Sequence, residues 1–431
     1  MAGRGVGEGT IYRYRNGYAA QLWVTTPDGK RARKTVYGKD RETVHSKLVK
    51  LQAESAKRPI ATSVPSLENY LDYWMREVVI EPDYSPVTVA TYGQFVRYYL
   101  VPYLGKKKLD KLNAKNLREW VNTLRRTCQC CAQGKDAARK PGKRKCCAAG
   151  DCCQELTSES NIYEAKKVLR SALSNAMREE LVSRNAAELL KLSKPRTRKA
   201  KPWTLAEVHR FLASARADDD PLYAAYVLLL TLGLRKGELL GLWWPEVDQD
   251  AREVSVEWQL TRVGRKLIRR RKTKTEDSDT SLPLPELCLQ ALNVRAEQQA
   301  RQRADATTWE KSGYVFTTKT GRPVDPRSFA RLFDARCAKA GVRRIEVHTT
   351  RKTCATLLAA LDVHPRVAMR ILRHSQMKLT MDLYTEVHDS STVAALKKLG
   401  SSLHGDEDAP DGDPDAHEED ENAPDDGPDA G

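Results

Sequence analysis

No stretch of this sequence is apolar for long enough to span a bilayer. The longest such run, Leu222 to Leu234, is broken by Thr231 and falls short of the roughly 20 residues a spanning helix needs. The first ten residues, MAGRGVGEGT, contain no apolar segment either, so neither a targeting peptide nor a membrane partner is expected and the reading is a soluble, cytoplasmic protein. Cysteine is scarce over most of the chain: seven of the ten lie between Cys128 and Cys153, which excludes a disulfide scaffold running through the protein. Lysine and arginine are missing from 405–431, which hold 13 Asp or Glu. The 44 acidic residues that remain elsewhere face 73 Lys and Arg, an excess of 29 positive charges against +16 for the whole chain. A body that basic favours a polyanionic partner held by salt-sensitive contacts; composition alone leaves DNA, RNA and an anionic surface open.

At 431 residues, two or three domains are expected. Residues 1–57 alternate apolar and polar positions, break at Arg15-Asn16-Gly17 and Pro27-Asp28-Gly29, and end in an amphipathic run with Val44, Leu48 and Leu51. That pattern predicts a three-stranded sheet followed by a helix, with Lys30, Arg31, Arg33 and Lys34 projecting from a strand. The basic edge is either a nucleic-acid contact or a solvated face. Residues 58–65 read as a linker. Residues 66–194 carry helical periodicity, with Leu67, Tyr70, Leu71 and Trp74 at its start and the run Lys106, Lys107, Lys108 as candidate phosphate contacts. A basic linker, 195–202, leads to a third domain, 203–403, opening on the capping-box pattern Thr204-Leu205-Ala206-Glu207. The acidic tail, 404–431, is expected to be disordered. The fold class is therefore mainly α with small β sheets (α+β).

The helical region is interrupted at 128–153 by CQCCAQGKDAARKPGKRKCCAAGDCC. Cys128, Cys130, Cys131, Cys146, Cys147, Cys152 and Cys153 offer thiolates to a structural zinc ion, favoured by the Lys and Arg between them. Because adjacent cysteines rarely both ligate one ion, a flexible thiol-rich loop stands as the alternative.

A constellation of polar groups marks the third domain. His348 and Arg351 are spaced i, i+3 and share a helix face, backed by Leu357, Leu358 and Leu361. After the break at His364-Pro365, Val363, Val367 and Ile371 continue an apolar stripe; His374 follows, and ten residues later Tyr384. A phenol can attack a phosphodiester when cationic donors stabilise the developing charge, and a guanidinium fork matches phosphate oxygens. Taken singly, Tyr384 reads equally as a core aromatic, His374 as a helix-end cap, and Arg235 with Glu238 as a surface ion pair.

Together, H-x-x-R, L-x-H-S and the spaced tyrosine resemble the second signature box of the phage-integrase family of tyrosine recombinases. TLGLRKGELLGL, residues 231–242, is similar to the first box and places Arg235 as its arginine; KTKTEDSDTSLPLP is similar to the family's lysine hairpin and selects Lys274, with Lys272 as fallback. The resemblance implies an arm-type DNA-binding domain, a helical core-binding domain and a mixed, mostly helical catalytic domain. It implies that Tyr384 forms a 3′-phosphotyrosyl link, that Arg235, Arg351 and His374 hold the phosphate, that His348 assists proton transfer and that Lys274 protonates the departing 5′ oxygen. Glu238 would orient Arg235. No cofactor is needed for catalysis. The implied partners are double-stranded DNA attachment sites, a homotetramer formed on them with residues 391–399 docking on a neighbour or in cis, a host DNA-bending protein and an excision factor, so the protein would be nucleoid-associated. Arg373 departs from the pattern by standing where glycine is usual, a substitution that would cost about 1 kcal/mol at a left-handed helix end; Lys352 and Thr349 also depart. The rival readings are DNA relaxation of the type IB topoisomerase kind and a regulator that binds DNA without catalysis.

Overall fold

The computed structural model describes residues 10–195, 200–271 and 281–373. The chain divides into two compact units, Met1–Lys199 with Thr261–Ile268 and Ala200–Leu260 with Arg269–Gly431. The principal division falls between Lys199 and Ala200.

In the first unit, β1 (Thr10–Tyr14), β2 (Gly17–Thr25) and β3 (Arg31–Gly38) form an antiparallel meander joined by the two expected turns. Strand alternation turns Ala20, Leu22 and Val24 onto Val44, Leu48 and Leu51 of α1 (Arg41–Ser55), a helix begun by Asp40, whose carboxylate accepts the Thr43 N–H at 2.7 Å. Ile60 joins this core and its N–H bonds the Thr25 carbonyl at 2.7 Å, so part of the segment read as a linker packs against the sheet. The shared projection of four basic residues needs correction. Arg31 and Arg33 flank Trp23, the Arg33 guanidinium 4.7 Å from the ring centre, whereas Lys34 lies on the other face and its amine donates to the Ala61 carbonyl at 2.5 Å. A period of two cannot put residues 33 and 34 on one side. Lys30, in the turn, pairs with Asp28 at 3.4 Å.

A helical bundle follows: α2 (Leu67–Glu77), α3 (Pro86–Phe95), a π-type turn at Val96–Leu100, α4 (Val101–Leu104), α5 (Ala114–Arg126), α6 (Gln129–Ala132), α7 (Glu159–Arg178) and α8 (Ala186–Leu189). Ser66, Ser85, Asn113 and Ser158 cap α2, α3, α5 and α7 by accepting a backbone N–H three residues on. Leu71, Trp74, Leu117, Val121, Leu169 and Leu173 share one core. Lys106, Lys107 and Lys108 are exposed on a loop whose backbone is fixed by the Leu67 N–H on the Lys107 carbonyl.

The second unit comprises α9 (Leu205–Ala217), α10 (Tyr223–Thr231), α11 (Lys236–Gly241), β4 (Val247–Asp248), β5 (Glu253–Ser255), β6 (Trp258–Val263), β7 (Lys266–Arg271), β8 (Ser281–Pro283), α12 (Glu286–Asp305), α13 (Pro326–Lys339), α14 (Val347–Ala360) and α15 (Pro365–Leu372), with the tip of the β6–β7 hairpin grouped in the first unit. The capping box is present: Thr204 and Glu207 exchange backbone bonds at the start of α9. Helix α10, apolar on every side, is central, and Tyr226 packs with Phe211, Phe329 and Phe333. Its C-terminal end delivers the chain to Arg235.

Candidate active site

Three chain segments meet where α10, α14 and α15 approach each other. Beyond α10 the backbone turns at Gly233, whose φ is +57° and where a Cβ would lie 2.6 Å from Leu372 Cδ2; both the turn and the close approach require glycine. The turn leaves Arg235 as the N-cap of α11. Glu238, on the first turn of that helix, accepts the Arg235 N–H at 3.0 Å on one oxygen and the Arg235 guanidinium at 2.8 Å on the other. Helix α14 presents Arg351 inward. Its guanidinium, nearly fully buried, donates to the Gly233 carbonyl at 2.7 Å and to the Leu372 carbonyl, tying the α10–α11 turn to the end of α15. His348, one helical turn earlier, lies on the same face at the surface.

Arg373 closes the arrangement. It ends α15 in the left-handed conformation, φ 52° and ψ 52°, as expected for the position where glycine is usual. Its guanidinium donates to Glu238 at 2.7 Å and to the Ile371 carbonyl at 3.1 Å, with its side chain almost wholly buried. In the sequence alone Arg373 is no more than a departure from a pattern. In the fold it is a second cationic partner of the buried Glu238 carboxylate; the signal available was a charged residue at a strained helix end.

Arg235, Arg351 and Arg373 thus gather about one carboxylate. Burial lowers the pKa of Arg351, and the charges of Arg235 and Arg373 add to the effect against the partial relief given by Glu238. Guanidiniums stay protonated, so the site holds excess positive charge in a low-dielectric setting, a standing attraction for an anion such as a phosphate diester. His348 is held below the ordinary imidazole value, first by partial desolvation and then by Arg351, Lys352 and Arg235. These influences favour its neutral form, which can exchange a proton with a neighbour.

Of the residues expected to act together, Arg235, Glu238, His348 and Arg351 are brought to one place. Lys274, its fallback Lys272, His374 and Tyr384 lie outside the described residues. The hairpin leading toward Lys274 has an anchor that sequence reasoning missed. Arg269 on β7 sits between the rings of Trp243 and Trp258, 3.8 and 4.4 Å from their centres, donates to the Gly241 carbonyl at 2.9 Å and pairs with Glu246. Stacked and hydrogen-bonded, this side chain fixes β7 against α11.

Away from this site, the seven cysteines of 128–153 come together. They form two groups that could hold a metal ion, Cys128, Cys131, Cys147 and Cys152, and Cys130, Cys146, Cys147 and Cys153. None of the seven is in a disulfide. Buried Asp136 organises the loop by accepting the N–H groups of Lys145, Cys146 and Ala148 and pairing with Arg139 at 2.7 Å. Those donors, Lys145 first, hold its carboxyl down at about 2.

Residues 203–391 match the phage integrase family model, and residues 66–125 match the N-terminal SAM-like domain of phage integrases. A tyrosine recombinase XerC-like protein of Caldanaerobacter subterraneus subsp. tengcongensis is 30% identical over 190 residues, 41% of this chain and 49% of the relative, so the chain spans about half the length of that protein. An integrase of Streptomyces ambofaciens is 25% identical over 384 residues, covering 84% of this chain and 89% of the relative. Among solved structures, the Tn1549 transposon integrase in complex with a circular intermediate DNA superposes with a TM-score of 0.57 at 19% identity, covering 78% of this chain and 100% of that one, a likeness of fold. The two family models, matched in order on the helical bundle and on the domain carrying Arg235 and Arg351, place this chain in the phage integrase family as a tyrosine site-specific recombinase.

Proposed function

We propose that this protein integrates or excises a mobile element by cutting and rejoining duplex DNA at attachment sites through a 3′-phosphotyrosyl intermediate. The observation that carries the reading is the convergence of Arg235, Arg351 and His348 beside buried Glu238. In this reading the Tyr384 oxygen attacks phosphorus and the bond to the 5′ oxygen breaks. Arg235, Arg351 and His374 hold the non-bridging oxygens, His348 exchanges the proton of the attacking phenol, and Lys274 gives a proton to the departing 5′ oxygen. Attack by a 5′ hydroxyl of the partner strand reverses these changes, and the phosphodiester energy is kept in the tyrosyl link, so no nucleotide cofactor enters. The Fork of Arg351 is fixed by two backbone carbonyls before substrate arrives, which places its charge without reorganisation.

Duplex DNA is the partner, engaged by the basic body; the exposed Arg31 and Arg33 beside Trp23, and the loop of Lys106, Lys107 and Lys108, are its proposed backbone contacts. Assembly as a tetramer on two duplexes, with a bending protein and an excision factor, and residence with the nucleoid in the cytoplasm belong to the same reading. Among the described residues, no helix is long and apolar enough to cross a membrane. The cysteine insertion is proposed to hold structural zinc, apart from the chemistry of strand exchange.

The test is a suicide substrate, a duplex carrying the attachment site with a nick that lets the cleaved fragment diffuse away. Wild-type protein accumulates a covalent complex, resistant to denaturant, and Tyr384→Phe binds the duplex without trapping it. Trapping by Tyr384→Phe overturns the assignment of the nucleophile, and failure of the wild type to trap any duplex that it binds specifically overturns the recombinase reading.

A further inference from the structure

The insertion at 128–153 has the makings of a core without the residues for one. It contains no Val, Ile, Leu, Met, Phe, Tyr or Trp, and its buried residues are Cys128, Gln129, Cys130 and Asp136. A segment this short of apolar side chains needs another source of cohesion. The sulfurs supply it. Contacts run at 3.8 Å for Cys128–Cys147, Cys131–Cys152 and Cys130–Cys146, 3.9 Å for Cys128–Cys153 and 3.7 Å for Cys147–Cys153. A disulfide would bring two sulfurs to about 2.0 Å. Four thiolates placed tetrahedrally at about 2.3 Å from one zinc ion stand about 3.8 Å apart.

The grouping meets the objection that adjacent cysteines seldom serve one ion at two of the three adjacent pairs; the third, Cys146 and Cys147, shares a group, and there Cys147 is the sulfur common to both groups. Cys130 and Cys131 fall into different groups, as do Cys152 and Cys153. Once they are separated, Cys128 and Cys131 form the familiar two-residue spacing that the doubled cysteines conceal. Cys147 belongs to both groups and makes a close sulfur contact in each. Seven thiolates, four per group with one shared, are the complement of two tetrahedral ions joined through a single sulfur.

We propose that the insertion binds two zinc ions as a dinuclear centre bridged by the Cys147 thiolate, with Cys128, Cys131 and Cys152 completing one tetrahedron and Cys130, Cys146 and Cys153 the other. The inference rests on the structural-zinc reading above and deepens it. Binding releases the proton of each thiol. Two divalent cations leave a net negative charge on seven thiolates, and the loop holds its counter-charges in Lys135, Arg139, Lys140, Lys143, Arg144 and Lys145. Asp136 fixes the backbone of 145–148, the stretch that carries the bridging residue, so the bridge is positioned from outside the thiolate shell. The centre sits between the end of α5 and the start of α7, where Arg125 and Glu159 pair through two bonds of 2.7 and 2.8 Å, and it fixes the path of the loop between two helices of the bundle.

The experiment uses the full chain, purified with zinc present and without chelator. Elemental analysis and native mass spectrometry are expected to give two zinc ions per chain. Replacement by cadmium-113 is expected to give two resonances in the thiolate region, split by coupling through the shared sulfur. Cys147→Ser is expected to hold fewer than two ions, while Cys288→Ser, a buried cysteine of the second unit, keeps two. One ion per wild-type chain overturns the bridged pair and leaves the structural-zinc reading standing. None, with thiols free or oxidised, overturns both, as does iron with inorganic sulfide. Two ions retained by Cys147→Ser, or two uncoupled cadmium signals in the wild type, removes the bridge. As a readout independent of stoichiometry, stripping the metal is expected to raise tryptic cleavage between Lys135 and Lys145 at least about tenfold while leaving the rest of the bundle protected.

Discussion

Arg373 shows how a residue that breaks a local rule can be held in place by its side chain. A non-glycine residue in the left-handed region costs about 1 kcal/mol, and the glycine it replaces would have no such cost. In return, Arg373 gives the buried Glu238 carboxylate a second cationic partner at 2.7 Å. Removing one side of a buried pair usually costs about 3–5 kcal/mol, a figure reduced here because Arg235 remains on Glu238. Arg373→Gly is therefore expected to destabilise the second unit by about 1–3 kcal/mol, and Arg373→Ala by about 1 kcal/mol more, because alanine keeps the strain and loses the partner. Denaturant titration measures both; a more stable Arg373→Gly protein would show that the backbone term outweighs the ion pair. His348 belongs to the same scale. Its pKa is lowered in the free protein, so its neutral form is favoured and protonation costs stability as pH falls below about 6.5. A bound phosphate reverses that balance by favouring the imidazolium. DNA binding is expected to take up protons and to tighten as pH drops from 7 to 6, by up to about tenfold for a shift of one pH unit in this group. Calorimetry in buffers of different ionisation enthalpy reads the uptake; if His348→Gln leaves it unchanged, His348 does not face the phosphate.

Among elements, the decisive joint is the turn between α10 and α11. Gly233 must be left-handed and bare because Leu372, at the end of α15, occupies the space its Cβ would take. Gly233→Ala combines backbone strain with overpacking and is expected to cost about 2–4 kcal/mol. Since the Gly233 carbonyl also receives Arg351, cleavage of a suicide substrate should slow at least about tenfold while DNA affinity changes little. Gly341→Ala is the control: its φ is +60° with no atom near the added Cβ, so it carries the strain alone, and an equal loss of cleavage there would refute the role given to the joint. Much of this was legible in the sequence. The hairpin turns, the Thr204–Glu207 box, the apolar α10 and the shared face of His348 and Arg351 are consequences of local periodicity, and local periodicity is written in neighbouring residues. What escaped depends on pairs distant in sequence. Arg373 meets Glu238 across 135 positions, and Arg269 enters between Trp243 and Trp258 only once β7 has folded back on α11. Lys34 parts from Arg33 for a simpler reason: neighbours on a strand point to opposite faces, whatever charge they share.

At the scale of the whole molecule, charge is segregated. Residues 405–431 carry 13 Asp or Glu and no Lys or Arg, whereas the rest of the chain carries an excess of 29 positive charges. Two arrangements of that charge differ in how salt acts. If the tail takes no part in binding, affinity for duplex DNA falls with salt according to the number of phosphates neutralised, and removing the tail leaves the line unmoved. If the tail occupies the basic surface in the free protein, salt weakens that internal contact as well as the DNA contact, and the intact protein shows a shallower dependence. We expect the second outcome. Truncation after residue 404 should tighten binding about three- to tenfold at 50 mM salt, steepen the slope of log affinity against log salt, and make no difference near 1 M, where the Debye length has shrunk to about 3 Å. Titration of a fluorescent duplex across that range, with intact and truncated protein side by side, separates the two, because superimposable lines would leave the tail no role in DNA binding.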